Sequence, residues 1–81
     1  MNSSPRRFSS LEIAIVRALA DGLQSKEIAS ALERSRPTIE FHIRVLFLKM
    51  DARSRAQLVA RGYELGLLEH VSAASEPAFG L

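Results

Sequence analysis

Glu40, Phe41 and Arg44 stand one, three and four residues apart. In a helix that spacing puts them in one outward sector. A carboxylate accepts from an amino group, a guanidinium offers a fork of N–H donors, and an aromatic ring covers a methyl group. Base edges in a DNA major groove present the matching partners. Arg44 suits guanine O6 and N7, Glu40 suits cytosine N4, and Phe41 suits a thymine methyl. Lys26, Ser35, Arg36, Thr38 and Arg55 lie around them with groups that suit phosphate oxygens. The same residues also read as a solvated Glu40–Arg44 ion pair at i,i+4, beside a Phe41 partly covered by helix ends. The spacing alone leaves these alternatives open.

Such side chains need a helix held in place by its neighbours. Ser35 is suited to cap that helix, and Pro37 fits its first turn, where amides lack helical partners. Ile39, Ile43, Leu46 and Met50 form its inner stripe, opposite Pro37, Glu40, Phe41, Arg44 and Leu48. A short helix precedes it across a tight bend, with Ser25 as its cap and Ile28, Ala29 and Leu32 inward. This pair has the layout of a helix-turn-helix, whose second helix can lie in the major groove. Before the pair, Ser9 and Glu12 make a capping box for a first helix that buries Ile15, Val16 and Leu19. Asp21–Gly22 ends that helix. After the pair, Ser54 and Gln57 box a fourth helix, with Leu58 and Leu65 facing the core. The spacing predicts four helices near 9–21, 25–33, 35–50 and 54–68, and no strand.

Composition narrows the functions. Eighty-one residues make one small domain. We expect a basic flexible arm at 1–7, the folded domain at 8–69 and a disordered tail at 70–81. Without cysteine there are no disulfides or thiolate metal sites, and His42 and His70 cannot close a zinc site by themselves. No apolar run approaches the ~18 residues of a membrane span, and nothing resembles a signal peptide. The chain is therefore expected to be soluble and cytoplasmic. It carries no nucleophile–base pair and no phosphate-cradling glycine loop, and four short helices leave no room for a ligand pocket. Neither an enzyme, a cofactor, a metal nor a small-molecule ligand is expected. The formal charge is +2, yet residues 34–61 hold seven Lys or Arg against two acidic residues. A local excess of that kind is the footprint of a phosphate-binding face, or simply a solvated surface.

The chain resembles the DNA-binding domain of LuxR/GerE-type transcription regulators, also the output domain of many response regulators. The resemblance runs without a gap from about Phe8 to Val59 and more loosely to Leu68. Leu19–Ala20, Gly22–Leu23, Lys26–Glu27–Ile28–Ala29, Leu32, Ser35, Thr38–Ile39, His42, Lys49–Met50 and Ser54–Arg55–Ala56–Gln57–Leu58–Val59 carry it. It implies an all-α, compact four-helix helix-turn-helix domain that binds specific duplex DNA. The third helix would be the recognition helix, with Glu40, Phe41 and Arg44 at the family's base-touching positions. The fourth would pair two subunits, and the family role leaves room for RNA polymerase as a further partner. Leu11 stands where the family has Arg, Gln24 where it has a capping Ser or Thr, and Glu33–Arg34 where it has a small and an apolar residue. Val45 and Leu48 replace Asn and a polar or basic residue.

On the fourth helix, Val59, Gly62, Tyr63 and Gly66 mix small and aromatic groups that suit a homodimer seam, formed in solution or on DNA alone; a frayed helix end is the other reading. His42, at the edge of the buried face, reads as a structural histidine bonding a backbone carbonyl or a phosphate. A different function also fits the sequence. Leu11, Ala14, Val45 and Leu48 put apolar groups on surfaces that would otherwise be wet, as in a protein-interaction module of the same fold.

Overall fold

Three serines and one glutamine start the helices. The computed structural model describes residues 8–69; the arm expected at 1–7 and the tail expected at 70–81 lie outside the described residues. The helices are α1 (Ser10–Ala20), α2 (Ser25–Leu32), α3 (Arg36–Lys49) and α4 (Arg55–Glu64), and no strand occurs among the described residues. Ser9 Oγ accepts from the Glu12 amide at 3.0 Å while Glu12 Oε1 accepts from the Ser9 amide at 3.1 Å, completing the expected box. Ser35 and Ser54 cap α3 and α4 in the same way, accepting from the Thr38 and Gln57 amides. Gln57 Oε1 returns to the Arg53 amide at 2.7 Å, one residue before the cap, so the reciprocal half of the box expected at Ser54 and Gln57 does not form.

Helix α2 departs from expectation. Its cap residue is Gln24, not Ser25. Glu27 Oε1 accepts from the Gln24 amide at 2.7 Å, so an acidic residue in the first turn satisfies the cap backbone and Ser25 is left as the first helical residue. Eight residues are too few for a stable isolated helix. Packing holds α2: Ile28 is fully buried and Ala29 nearly so, and α2 lies against α3.

All four helices end in one hydrogen-bond pattern. The amides of Leu23, Arg34, Ala52 and Leu67 donate back five residues, to Ala18, Ala29, Phe47 and Gly62. Each residue just before these is left-handed: Gly22 at φ 88°, Glu33 at 56°, Asp51 at 52° and Gly66 at 79°. These are Schellman closures, in which a left-handed residue lets an amide reach the orphan carbonyls of the last turn. The closure at Gly66 also corrects the extent of α4, which stops at Glu64 rather than near Leu68. Leu67 and Leu68 turn back and are buried, while Leu65 is half-buried.

The core is continuous through all four helices. Ile15 and Val16 of α1, Ile28 of α2, Ile39 and Leu46 of α3 and Leu58 of α4 are fully buried. Each such side chain contributes on the order of 1.5–3 kcal/mol relative to exposure. Helix α1 packs on both α3 and α4, so it backs α3 from the side opposite its outward face. Ile43, expected inside with Ile39 and Leu46, is half-buried.

Candidate nucleic-acid interface

Helix α3 presents its outer sector as the wheel requires. Pro37, Phe41, Arg44 and Leu48 are exposed and Glu40 half-exposed, while Ile39, Leu46 and Met50 are buried. Phe41 is 54% and Leu48 81% exposed, the large apolar side chains most open to solvent among the described residues. Phe41 meets His42 edge-on, with ring centroids 5.7 Å apart.

Glu40 does not pair with Arg44. Its Oε2 accepts from Arg36 Nε at 2.8 Å and from the Ser25 hydroxyl at 3.2 Å. The Arg36 hydrogen bond, then the Ser25 one, hold its carboxyl below the ordinary carboxylate value, with the charges of Arg36 and Arg44 adding to this. Arg36 and Arg44 each lie four residues from Glu40, and the sequence suggested only the pair with Arg44. Ser25 decides between them, because it anchors the carboxylate toward the start of the helix. Arg44 stays exposed on the wall of an open cleft of about 430 Å³, which Leu19, Leu23, Ile43, Phe47 and Arg55 also line. Four short helices therefore leave a larger concavity than expected, and it opens beside Glu40 and Arg44.

The structure divides the phosphate candidates. Lys26 and Arg36 are exposed in the first turns of α2 and α3. Ser35 and Thr38 are exposed and joined, Ser35 Oγ donating to Thr38 Oγ1 at 2.8 Å. Arg55 is committed elsewhere: its Nε donates to the Leu19 carbonyl at 3.2 Å and its Nη2 to the Leu23 carbonyl. The cation thus sits at the negative end of α1 and pins the α1–α2 loop. Two more basic residues of the 34–61 stretch have internal partners. Lys49 Nζ donates to Glu12 Oε1 at 3.0 Å and lies 4.9 Å from the Phe8 ring centroid. Arg61 Nη2 donates to the Asp51 carbonyl at 3.3 Å. Arg34, Arg44 and Arg53 are exposed, and Arg36, Lys49 and Arg55 are exposed but engaged, with Glu40, Glu12 and the two backbone carbonyls respectively.

Behind this face lies a buried polar centre that sequence reading missed. Glu12 caps α1 and also receives Lys49, and His42 Nδ1 stands 4.0 Å from Glu12 Oε2. His42 is half-buried and turns toward this carboxylate rather than to a backbone carbonyl. Glu12 and Lys49 are 37 residues apart, so no local pattern could have paired them.

On α4, Val59 and Tyr63 are half-buried against the core and Gly66 is exposed. Gly62 is different. A Cβ built there would lie 3.0 Å from Leu68 Cδ1 and 3.1 Å from Val16 Cγ1. Its small size serves the contact of α4 with α1 and the returning C-terminal turn, so it offers no side-chain surface for a second subunit. Leu11, Ala14 and Val45 are half-buried, leaving Leu48 as the exposed member of the expected apolar patch. Among the described residues no helix is long and apolar enough to cross a membrane, and no cluster of three His, Cys, Asp or Glu could hold a metal ion.

The sequence matches the family model for bacterial regulatory proteins of the luxR family over residues 6–61. It is 34% identical over 65 residues to the uncharacterized response regulatory protein YgeK of Escherichia coli strain K12, covering 80% of this chain and 44% of that protein. It is 46% identical over 44 residues to the nitrate/nitrite response regulator protein NarP of the same organism, covering 54% of this chain and 20% of that protein. The chain thus matches less than half the length of either relative.

Proposed function

The chain belongs to the luxR family of bacterial regulatory proteins, and from that membership we propose that it is a cytoplasmic transcription regulator that binds specific duplex DNA. In this reading α3 lies in the major groove and Arg44, Glu40 and Phe41 meet base edges. The observation that carries it is the outward sector of α3: an exposed guanidinium, a carboxylate and an aromatic ring on a helix whose opposite face is buried in the core. Lys26, Ser35, Arg36 and Thr38 gather at the starts of α2 and α3, where amide groups and side chains together suit phosphate. Arg55 acts first as a clamp on α1, and in this reading its remaining N–H donors serve a phosphate.

Two copies acting at paired half-sites would meet through α4. Ala56, Val59, Ala60 and Tyr63 share a sector of roughly 100° on that helix, separate from the buried Leu58 and Gly62. Small residues there allow close approach of a second α4, with Gly66 at its end. The regulatory output, including any contact with RNA polymerase, follows from where the paired sites lie. Selection from a random duplex pool tests the proposal: recovery of a motif, with binding that weakens steeply with salt, is the expected result. A protein that retains no duplex at low salt would overturn it.

A second reading rests on Leu48. Its exposure, beside Ile43 and Phe47, suits a protein partner in place of DNA. Leu48→Lys separates the two: it adds a cation next to Arg44 and strengthens DNA binding if α3 faces phosphates, but weakens a partner complex.

A further inference from the structure

Glu40 is held at one oxygen and open at the other. Ser25 and Arg36 both donate to Oε2, at 3.2 and 2.8 Å. Oε1 accepts no hydrogen bond among the described residues, and the side chain is 42% exposed. Ser25 belongs to α2 and Arg36 to α3, so the carboxylate is fixed from two helices. A side chain already ordered has less rotamer entropy to lose on meeting a ligand.

The charge balance also matters. An uncompensated carboxylate brought among phosphates is repelled, and Arg36 offsets its charge at 2.8 Å. A guanidinium has five N–H donors, so Arg36 can hold Glu40 through Nε and still turn others toward a phosphate. Resting on the reading of α3 as the DNA-facing helix, we infer that Ser25 and Arg36 are positioning residues that fix Glu40 so that its open oxygen selects a cytosine amino group. Guanine and thymine present acceptors in the major groove, which an ionised carboxylate repels. Adenine sets its N7 acceptor beside its amino group, and cytosine does not. The hydrogen bonds from Arg36 and Ser25 hold the Glu40 carboxyl below its ordinary value, so at neutral pH it is ionised and only accepts. Arg44 follows one turn later, ~6 Å along the axis. That is about two base steps at ~3.4 Å each, so a cytosine and a guanine separated by about two steps form the core of the selected half-site.

The test begins with the motif that the full chain selects from a random duplex pool, then titrates single-base variants of that duplex. Replacing the selected cytosine by thymine should weaken wild-type binding ~10-fold, and Glu40→Ala should erase that difference. Ser25→Ala should shrink it roughly three- to tenfold while leaving the penalty at the Arg44 guanine unchanged. Ser25→Thr, which keeps a hydroxyl, should restore it. A structural contact between α2 and α3 alone would weaken all duplexes equally. Should Ser25→Ala lose its helical signal, Arg36→Lys carries the same comparison. A cytosine preference unchanged in these variants, or one that survives Glu40→Ala, overturns the inference and leaves DNA recognition standing. A wild type that selects no motif overturns both.

Discussion

Lys49 Nζ lies 3.0 Å from Glu12 Oε1, which ties the last turn of α3 to the first turn of α1. Each charge also stands at the favourable end of its own helix, the carboxylate at an N-terminus and the ammonium at a C-terminus. Glu12 is nearly buried, its side chain 9% exposed, whereas Lys49 keeps 33%. Removing one partner of a fully buried pair costs about 3–5 kcal/mol. Lys49 can partly rehydrate, so Glu12→Gln should cost less, about 2 kcal/mol. Urea denaturation checks this. An unchanged midpoint would mean that the pair contributes no net stability.

The same carboxylate sets a pH dependence. Burial works to raise its pKa. The Lys49 hydrogen bond, the Ser9 amide and the charges of Lys49 and His42 outweigh that and hold it below the ordinary 4.5. A carboxyl depressed on folding stabilises the chain at pH above its unfolded value, and the stabilisation is lost as pH falls through the folded value. Stability should therefore decline below about pH 4.5, and the decline should be shallower in Glu12→Gln. Urea midpoints measured across the acid range, wild type against variant, give the difference directly. Parallel curves would contradict the assignment.

Glu33 and Asp51 occupy left-handed positions that glycine fills at the other two helix ends. Left-handed backbone costs a β-carbon residue roughly 1–2 kcal/mol, and Asp tolerates it better than Glu. Glu33→Gly should raise stability by about 1 kcal/mol, and Asp51→Gly by less. Thermal melts of both would test the order. The reverse order would point to a contact that the Glu33 side chain makes in stabilising the turn.

Much of this fold was legible because its signals are local. Caps at Ser9, Ser35 and Ser54 and the stripes of Ile15, Ile28, Ile39 and Leu58 act within one or two turns, so spacing alone reveals them. What escaped depends on side chains meeting across helices. Ser25 looked like a cap because its neighbours suit one, yet Glu27 supplies that function and Ser25 turns to Glu40, 15 residues away. Arg55 looked free for phosphate until the last turn of α1 and the α1–α2 loop each placed a carbonyl before it. Gly62 looked like a seam residue because glycine spacing does not reveal which neighbour comes close.

Arg44 and Lys26 should fail differently. Arg44 is exposed on the outward face of α3, whereas Lys26 sits in the first turn of α2. Arg44→Ala should weaken specific binding by ~1–3 kcal/mol and relax one base preference. Lys26→Ala should weaken all duplexes alike and reduce the salt slope by ~1. Titrations on selected and scrambled duplexes over a salt series distinguish the two. If Arg44→Ala selects the wild-type motif, Arg44 does not read bases.

The α4 seam needs a probe that spares the core, and Gly62 is not that probe. Even a methyl group there comes within 3.0 Å of Leu68 and 3.1 Å of Val16. Val16 is fully buried on a packed helix, so it cannot yield as freely as the end of a flexible side chain. Gly62→Glu adds a carboxylate to that contact. Burying it without a partner costs several kcal/mol by itself, against a total stability of ~5–15 kcal/mol for a folded domain. Gly62→Glu should therefore lose its cooperative melt, and with it all binding. Ala60 is exposed in the sector shared with Val59 and Tyr63, so Ala60→Glu should stay folded and helical while placing a charge where a second α4 would approach. It should bind one half-site nearly as the wild type does and lose cooperativity on two. Circular dichroism establishes folding, sedimentation the assembly state, and gel shifts on one and two half-sites the cooperativity. Cooperative binding retained by a folded Ala60→Glu would move the seam off this face of α4.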